Sequence, residues 1–135
     1  MPNLIEQIKE SEGFRPTVYK CTEGYDTIGY GFAIKDLELD VYISEMILMR
    51  KLDNLMTRIG KTFVWWRSAD STVKDVVVEM CYQLGVSGFS KFKKTIDHLE
   101  NKRYGKASAE MLDSKWARQT PNRALELSNI IKNLE

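Results

Sequence analysis

Apolar positions recur along this chain with two different periods, and the change of period divides it into elements. Leu4, Ile5 and Ile8 form one helical face that Gly13 stops, and Asn3 with Glu6 has the spacing of a capping box. From Phe14 to Ile34 the helical period disappears. Val18 and Tyr19 are strand formers, Lys20-Cys21-Thr22-Glu23-Gly24 reads as a turn, and Tyr25 to Phe32 is β-rich and spaced by glycines. A small antiparallel hairpin or three-strand sheet is expected there. A long helix is predicted from Asp40 to Ile59, with Met46, Met49, Leu52, Leu55, Met56 and Ile59 at helical spacing. Another opens at Asp70 or Ser71 and runs through Val73, Val76, Val77, Met80, Cys81 and Leu84 to Gly85. Its valines favour strands intrinsically, but their spacing is that of a buried helical stripe. Further helices are predicted over 88–100, 104–115 and 121–133, the last with Thr120 at its cap and Pro121 at its first position. The whole reads as one α+β domain, 1–135. A sheet lobe covers about 14–38 and a connecting helix about 40–59. A helical lobe covers about 60–135 and takes in the N-terminal helix. A site is expected between sheet and helices.

Composition narrows the classes. The 135 residues are 43% hydrophobic and 29% charged, ordinary for a globular protein able to bury a core. Apolar runs such as Val76-Val77-Val78 are too short to span a bilayer, so no membrane insertion is expected. The N-terminal Met-Pro-Asn-Leu-Ile-Glu lacks the features of a secretory signal, which suggests a chain that is cytosolic when made. Cys21 and Cys81 are too few and too far apart for a disulfide framework. With the single His98 they make no zinc site, so no metal and no cofactor is expected. Residues 1–60 carry 7 Lys and Arg against 10 Asp and Glu, whereas residues 61–135 carry 13 against 9. A basic second half suits an anionic polymer, or is simply a solvated surface. No nucleic-acid motif accompanies it, and nucleic acid is set aside as a partner.

The chemistry concentrates in residues 12–31. Glu12 ends a helix just before a glycine, Cys21 follows in a turn, and Thr27 lies on a strand. A helix end, a turn and a strand edge can converge on one small volume. Cleavage of a glycosidic bond needs an acid on one side of the bond and a held water on the other.

This stretch, Glu12-Gly13-Phe14-Arg15 through Tyr19, Cys21, Gly24, Thr27, Gly29 and Gly31, resembles the phage-type lysozymes, family 24 of the glycoside hydrolases. Met80-Cys81-Tyr82-Gln83-Leu84-Gly85 with Gly88-Phe89 resembles that family's central helix. Trp116 to Ala124 resembles its C-terminal segment. The chain is shorter than the T-even phage members, with most of the loss between the sheet and the long helix. The resemblance implies a lysozyme-like fold and a muramidase. Its substrate would be bacterial peptidoglycan, cut at the β-1,4 bond between N-acetylmuramic acid and N-acetylglucosamine. It implies Glu12 as general acid, Thr27 as holder of the attacking water, and Arg123 as a partner of the acid. Tyr82, Gln83, Trp116 and Phe32 are the implied substrate-binding residues. A general acid must keep its proton, which burial favours and a neighbouring Arg123 opposes. The biological role implied is a monomeric endolysin that accumulates in the host cytoplasm and reaches the wall through a holin pore.

At position 21 the family's usual residue is aspartate, and this chain has cysteine. As a thiolate, Cys21 could stabilise developing positive charge, accept a proton from water, or attack the sugar as nucleophile. Redox control and a passive substitution are the other readings. Asp26 is one residue from Thr27 on the same strand and therefore faces away from it. Glu23 belongs to the turn and is expected to be solvated. Cys81 is expected to be a buried small hydrophobe, His98 solvated, Trp65 and Trp66 core, and the methionines from 46 to 56 core filler. The competing functions are a non-catalytic peptidoglycan-binding module, a Cys21/His98 peptidase, and a lysozyme carried on the virion for entry.

Overall fold

The computed structural model describes residues 2–135. The protein has the α+β, lysozyme-like fold: a three-stranded antiparallel sheet of order β1-β2-β3 and seven α-helices among the described residues. The chain forms two compact units, Met1–Glu45 and Met46–Glu135.

The first unit opens with α1, Pro2–Glu12. Pro2 starts the helix, a position where the missing N–H of proline costs nothing. The expected capping box is therefore displaced: Asn3 lies inside the first turn, and Glu6 faces Lys9 at 3.7 Å. The residue that would cap the helix, Met1, lies outside the described residues. Strand β1 spans Arg15–Lys20, β2 Asp26–Gly29 and β3 Phe32–Ala33. The register pairs Tyr19 with Thr27 and Thr27 with Ala33, so these three residues share one face of the sheet. Lys20 pairs with Asp26 on the other face, where their side chains form an ion pair at 2.7 Å. A 3-10 turn, Ile34–Asp36, follows β3.

Helix α2, Val41–Thr62, belongs to both units by sequence. The Asp40 carboxylate accepts from the Ile43 N–H at 2.8 Å and so satisfies an orphan donor of its first turn. The methionines of this helix divide. Met56 packs against the core, whereas Met46 is 70% exposed and Met49 65% exposed, so these two are not the core filler expected from their spacing.

The core lies in the second unit. Helix α3, Ser71–Ser90, is capped by Asp70, which accepts from the Thr72 N–H at 2.8 Å. Val73, Val76, Val77, Met80 and Cys81 are buried along one stripe, so packing overrides the strand preference of valine. The helix breaks at Gly85, whose φ of +77° only glycine adopts freely, and resumes for a last turn that buries Phe89. The single helix expected over 88–100 is thus divided. A turn at Lys91 and Phe92 separates the end of α3 from α4, Lys93–Glu100, and stacks Phe92 on Phe89 with ring centroids 6.1 Å apart. Helix α5, Tyr104–Leu112, is shorter than expected, because Ser114 starts a separate helix α6, Lys115–Gln119, by accepting from the Ala117 N–H. Helix α7, Pro121–Lys132, begins at its proline as expected. The Thr120 hydroxyl, however, donates back to the Trp116 carbonyl rather than capping it. Trp66 is buried and Trp65 half-buried against this core. His98 is half-buried, and its Nδ1 accepts from Arg103 Nε at 2.9 Å.

Candidate active site

Each of the three residues at the centre of the site owes its place to a local backbone device. Glu12 is the last residue of α1. Gly13 closes the helix in the left-handed conformation, φ +70°, with its N–H donating to the Lys9 carbonyl at 2.8 Å. Cys21 opens a tight turn between β1 and β2. Its N–H donates to the Tyr25 carbonyl and its carbonyl accepts from the Gly24 N–H, both at 2.9 Å. Gly24 supplies the positive φ of +84° that this turn needs. Thr27 sits on the central strand and is 3% exposed.

These three side chains line one pocket of about 320 Å³ in the first unit. The shared face of Tyr19, Thr27 and Ala33 forms its floor, in agreement with the sheet register. Asp26, on the opposite face, is absent from the lining. Glu23 is exposed, as expected of a turn residue, yet it also lines the pocket together with Tyr25, Lys35 and Asp36. Lys35 holds its ammonium 3.8 Å from the centre of the Tyr25 ring, a cation–π contact at the pocket wall. Lys35 and Asp36 were not legible in the sequence, because the 3-10 turn that presents them has no hydrophobic period. Tyr19 could have been found as the strand partner of Thr27.

The Thr27 hydroxyl donates to the Tyr25 carbonyl at 2.9 Å. Its oxygen keeps lone pairs that can accept from whatever occupies the pocket. The Cys21 thiol is held below its ordinary pKa. The Tyr25 backbone contributes most, then the Glu23 backbone and the Thr27 side chain, against opposition from burial and the Glu23 carboxylate. The pocket thus combines a carboxylic acid, an acceptor hydroxyl and a thiol inclined to ionise. The first can donate a proton, the second can orient a water, and the third can take a proton from it.

Phe32 lies outside this lining. It is half-exposed on the strand position next to Ala33, and its ring covers Gly29, where a side chain would meet it at 2.7 Å.

In the second unit, Gln83 Oε1 accepts from the Trp116 indole N–H at 3.0 Å. Trp116 is itself 4% exposed and packs edge-on to Phe92, so what it presents is a positioned Gln83 amide rather than an open ring. Tyr82 is exposed beside it in sequence. Arg123 stands 3.9 Å from Glu79 in a surface ion pair. A second pocket of about 570 Å³ is walled by Phe92 and Trp116 and rimmed by Lys91, Lys93, Lys94 and Lys115. Cys81 is buried, and burial pushes its thiol up to about 12. Among the described residues no group of three His, Cys, Asp or Glu side chains could hold a metal ion, and no helix is long and apolar enough to cross a membrane.

The chain is 26% identical to two proteins of Dictyostelium discoideum, probable T4-type lysozymes 1 and 2, in alignments covering 96% of this chain and 94% of each relative. Both alignments run over 159 positions, more than the 135 residues here, so the relatives carry insertions. The chain is also 26% identical to the pre-baseplate central spike protein Gp5 of Enterobacteria phage T4, over 96% of this chain and 27% of that protein. The characteristic pattern of the phage lysozymes matches residues 9–129, a span holding Glu12, Cys21, Thr27, Gln83, Trp116 and Arg123 alike. The chain belongs to the phage lysozyme family, glycoside hydrolases of the muramidase type that act on peptidoglycan.

Proposed function

We propose that the protein is a phage endolysin that hydrolyses the β-1,4 bond between N-acetylmuramic acid and N-acetylglucosamine, with Glu12, Cys21 and Thr27 as its catalytic residues. The observation that carries this reading is the meeting of those three side chains on one pocket. Glu12 gives its proton to the glycosidic oxygen of the departing N-acetylglucosamine as the bond from C1 of muramic acid breaks. A water held by Thr27 forms the new bond to C1 and loses a proton to the Cys21 thiolate. Thr27 suits this task because its hydroxyl oxygen can accept from the water while its proton goes to a protein acceptor, the Tyr25 carbonyl or the Cys21 thiolate. A base that works through a water, rather than attacking the sugar itself, inverts the anomeric centre. Gln83, held by Trp116, and the exposed Tyr82 are assigned to binding the glycan, with Arg123 in support. The protein acts as a monomer, accumulates in the host cytoplasm and reaches the wall at lysis.

The test is end-group analysis of purified peptidoglycan digested by the enzyme. Borohydride reduction should place muramitol, not glucosaminitol, at the new ends, and NMR of the fresh product should show the inverted anomer. Glu12→Gln should lower turnover by about 10²- to 10⁴-fold. Activity near wild type in that variant overturns the assignment of the acid.

The likeness to the central spike protein supports a second reading, a lysozyme carried on the virion. Mass spectrometry of purified phage particles separates the two: an endolysin is present in the lysate and absent from the particle.

A further inference from the structure

The pocket depends on a position where there is no side chain. Gly31, between β2 and β3, lies directly against the carboxylate of Glu12. A Cβ built on Gly31 collides with Glu12 Oε2 and comes within 3.0 Å of Glu12 Cδ. Gly31 also has a φ of +74°, which favours glycine by itself. The two demands are separable in this molecule, because Gly85 has a similar φ of +77° with nothing within 4 Å of the same added atom. Gly85, whose ψ of 160° puts it where essentially only glycine is found, therefore bounds what backbone strain alone does, whereas Gly31 adds an encounter with one functional group.

That encounter has an unusual character. The atom in the way is the free end of a flexible side chain, not backbone and not packed core. The carboxylate can swing aside, so the collision does little to stability. What it changes is where the carboxyl group stands. A misplacement of about 1 Å in a reacting group can lower the rate about 10²-fold.

We infer that Gly31 is a positioning residue for the reaction: the absence of its side chain leaves the seat in which the Glu12 carboxyl is held against the substrate bond. The inference rests on the reading of Glu12 as the acid. It adds a third requirement to the motif, an empty space supplied by the loop after β2. Helix α1 brings Glu12 to the pocket, and Gly31 fixes which part of the pocket the carboxyl occupies.

The experiment compares Gly31→Ala with Gly85→Ala on solubilised peptidoglycan, reading kcat and KM separately along with Tm. Gly31→Ala should lower kcat about 10²-fold with KM within about threefold of wild type. Its Tm should fall no further than that of Gly85→Ala, whose kcat should stay within about threefold. The Glu12 side-chain carboxyl carbon should change its NMR chemical shift in Gly31→Ala and keep it in Gly85→Ala. A Gly31→Ala enzyme with kcat near wild type, or with an unmoved Glu12 carboxyl resonance, overturns the inference. Should Gly31→Ala lose more Tm than Gly85→Ala, adding Glu12→Ala should restore the excess by removing the obstructing side chain. An excess that persists makes strain the cause and overturns the inference as well. Full activity in Glu12→Gln would instead remove the assignment of the acid, while the NMR comparison would still report on the seat.

Discussion

Two regions of this chain divide the work of a small enzyme unevenly. Every buried apolar residue among those described lies in Met46–Glu135, along α2, α3 and the short helices that follow. Among the described residues of the segment before it, the one buried side chain is Thr27, a polar residue of the pocket that Glu12 and Cys21 also line. The second region is organised by hydrophobic burial, the first by backbone devices: a helix-closing Gly13, a tight turn at Cys21, a central strand at Thr27. The two cysteines report the contrast within one residue type. Cys21, half-exposed at the pocket, has its thiol lowered by the surrounding backbone. Cys81, enclosed among valines and Met80, has its thiol raised to about 12.

The contrast can be broken most decisively at the core. Phe89 is fully buried and touches Phe63 and Phe92. Phe89→Ala should lower stability by about 3–5 kcal/mol, read by denaturant unfolding. Phe14→Ala, at an exposed position of the first region, should change it by under about 1 kcal/mol. Similar losses at the two positions would erase the distinction.

The thiols provide the next test. The Cys81 pKa is raised on folding from 9.0 to about 12, so the unfolded chain releases its proton first as pH rises. The stabilising difference is therefore complete below about 9 and is lost between about 9 and 12, by about 1.4 kcal/mol per pH unit. Unfolding measured across that window should lose this slope in Cys81→Ala relative to wild type. An identical slope in both proteins would show that Cys81 is not shielded.

At Cys21 the expected change is in rate rather than stability. On the proposed role of Cys21 as base, its lowered thiol should set the rising limb of the pH profile of kcat/KM, where activity grows as the base loses its proton. Cys21→Asp should stay active and move that limb to lower pH, toward the carboxylate range near about 4. A profile with an unmoved rising limb would remove Cys21 from proton transfer. The smallest effect belongs to the exposed Lys20–Asp26 pair at 2.7 Å. Asp26→Asn should change stability by no more than about 1 kcal/mol and leave turnover intact, because this residue faces away from the pocket.

Much of the fold was legible because hydrophobic period reports burial. The stripe from Val73 to Leu84 predicted α3 despite its valines, and Pro121 marked the start of α7. The break at Lys91 and Phe92 was not legible. No glycine or proline lies there, and the turn exists because Phe92 swings to stack on Phe89 and meet Trp116, which are tertiary contacts. The exposure of Met46 and Met49 was hidden for the same reason, since spacing names a face but not what covers it. At the site, the convergence of Glu12, Cys21 and Thr27 followed from a motif whose residues all lie within one hairpin and the helix before it. The meaning of Gly31 did not, because it depends on the carboxylate of a residue from another element standing where its side chain would be.

The unequal thiols also make the enzyme its own sensor. A sulfhydryl reagent applied to the native protein meets one accessible thiol, in the turn that walls the pocket lined by Glu12 and Thr27, while its twin stays sealed until the chain unfolds. On the proposed function, labelling kinetics at Cys21 should therefore follow glycan occupancy in real time without any engineered handle. The same protein, once denatured, supplies the second thiol as an internal count of how much of the population had been folded.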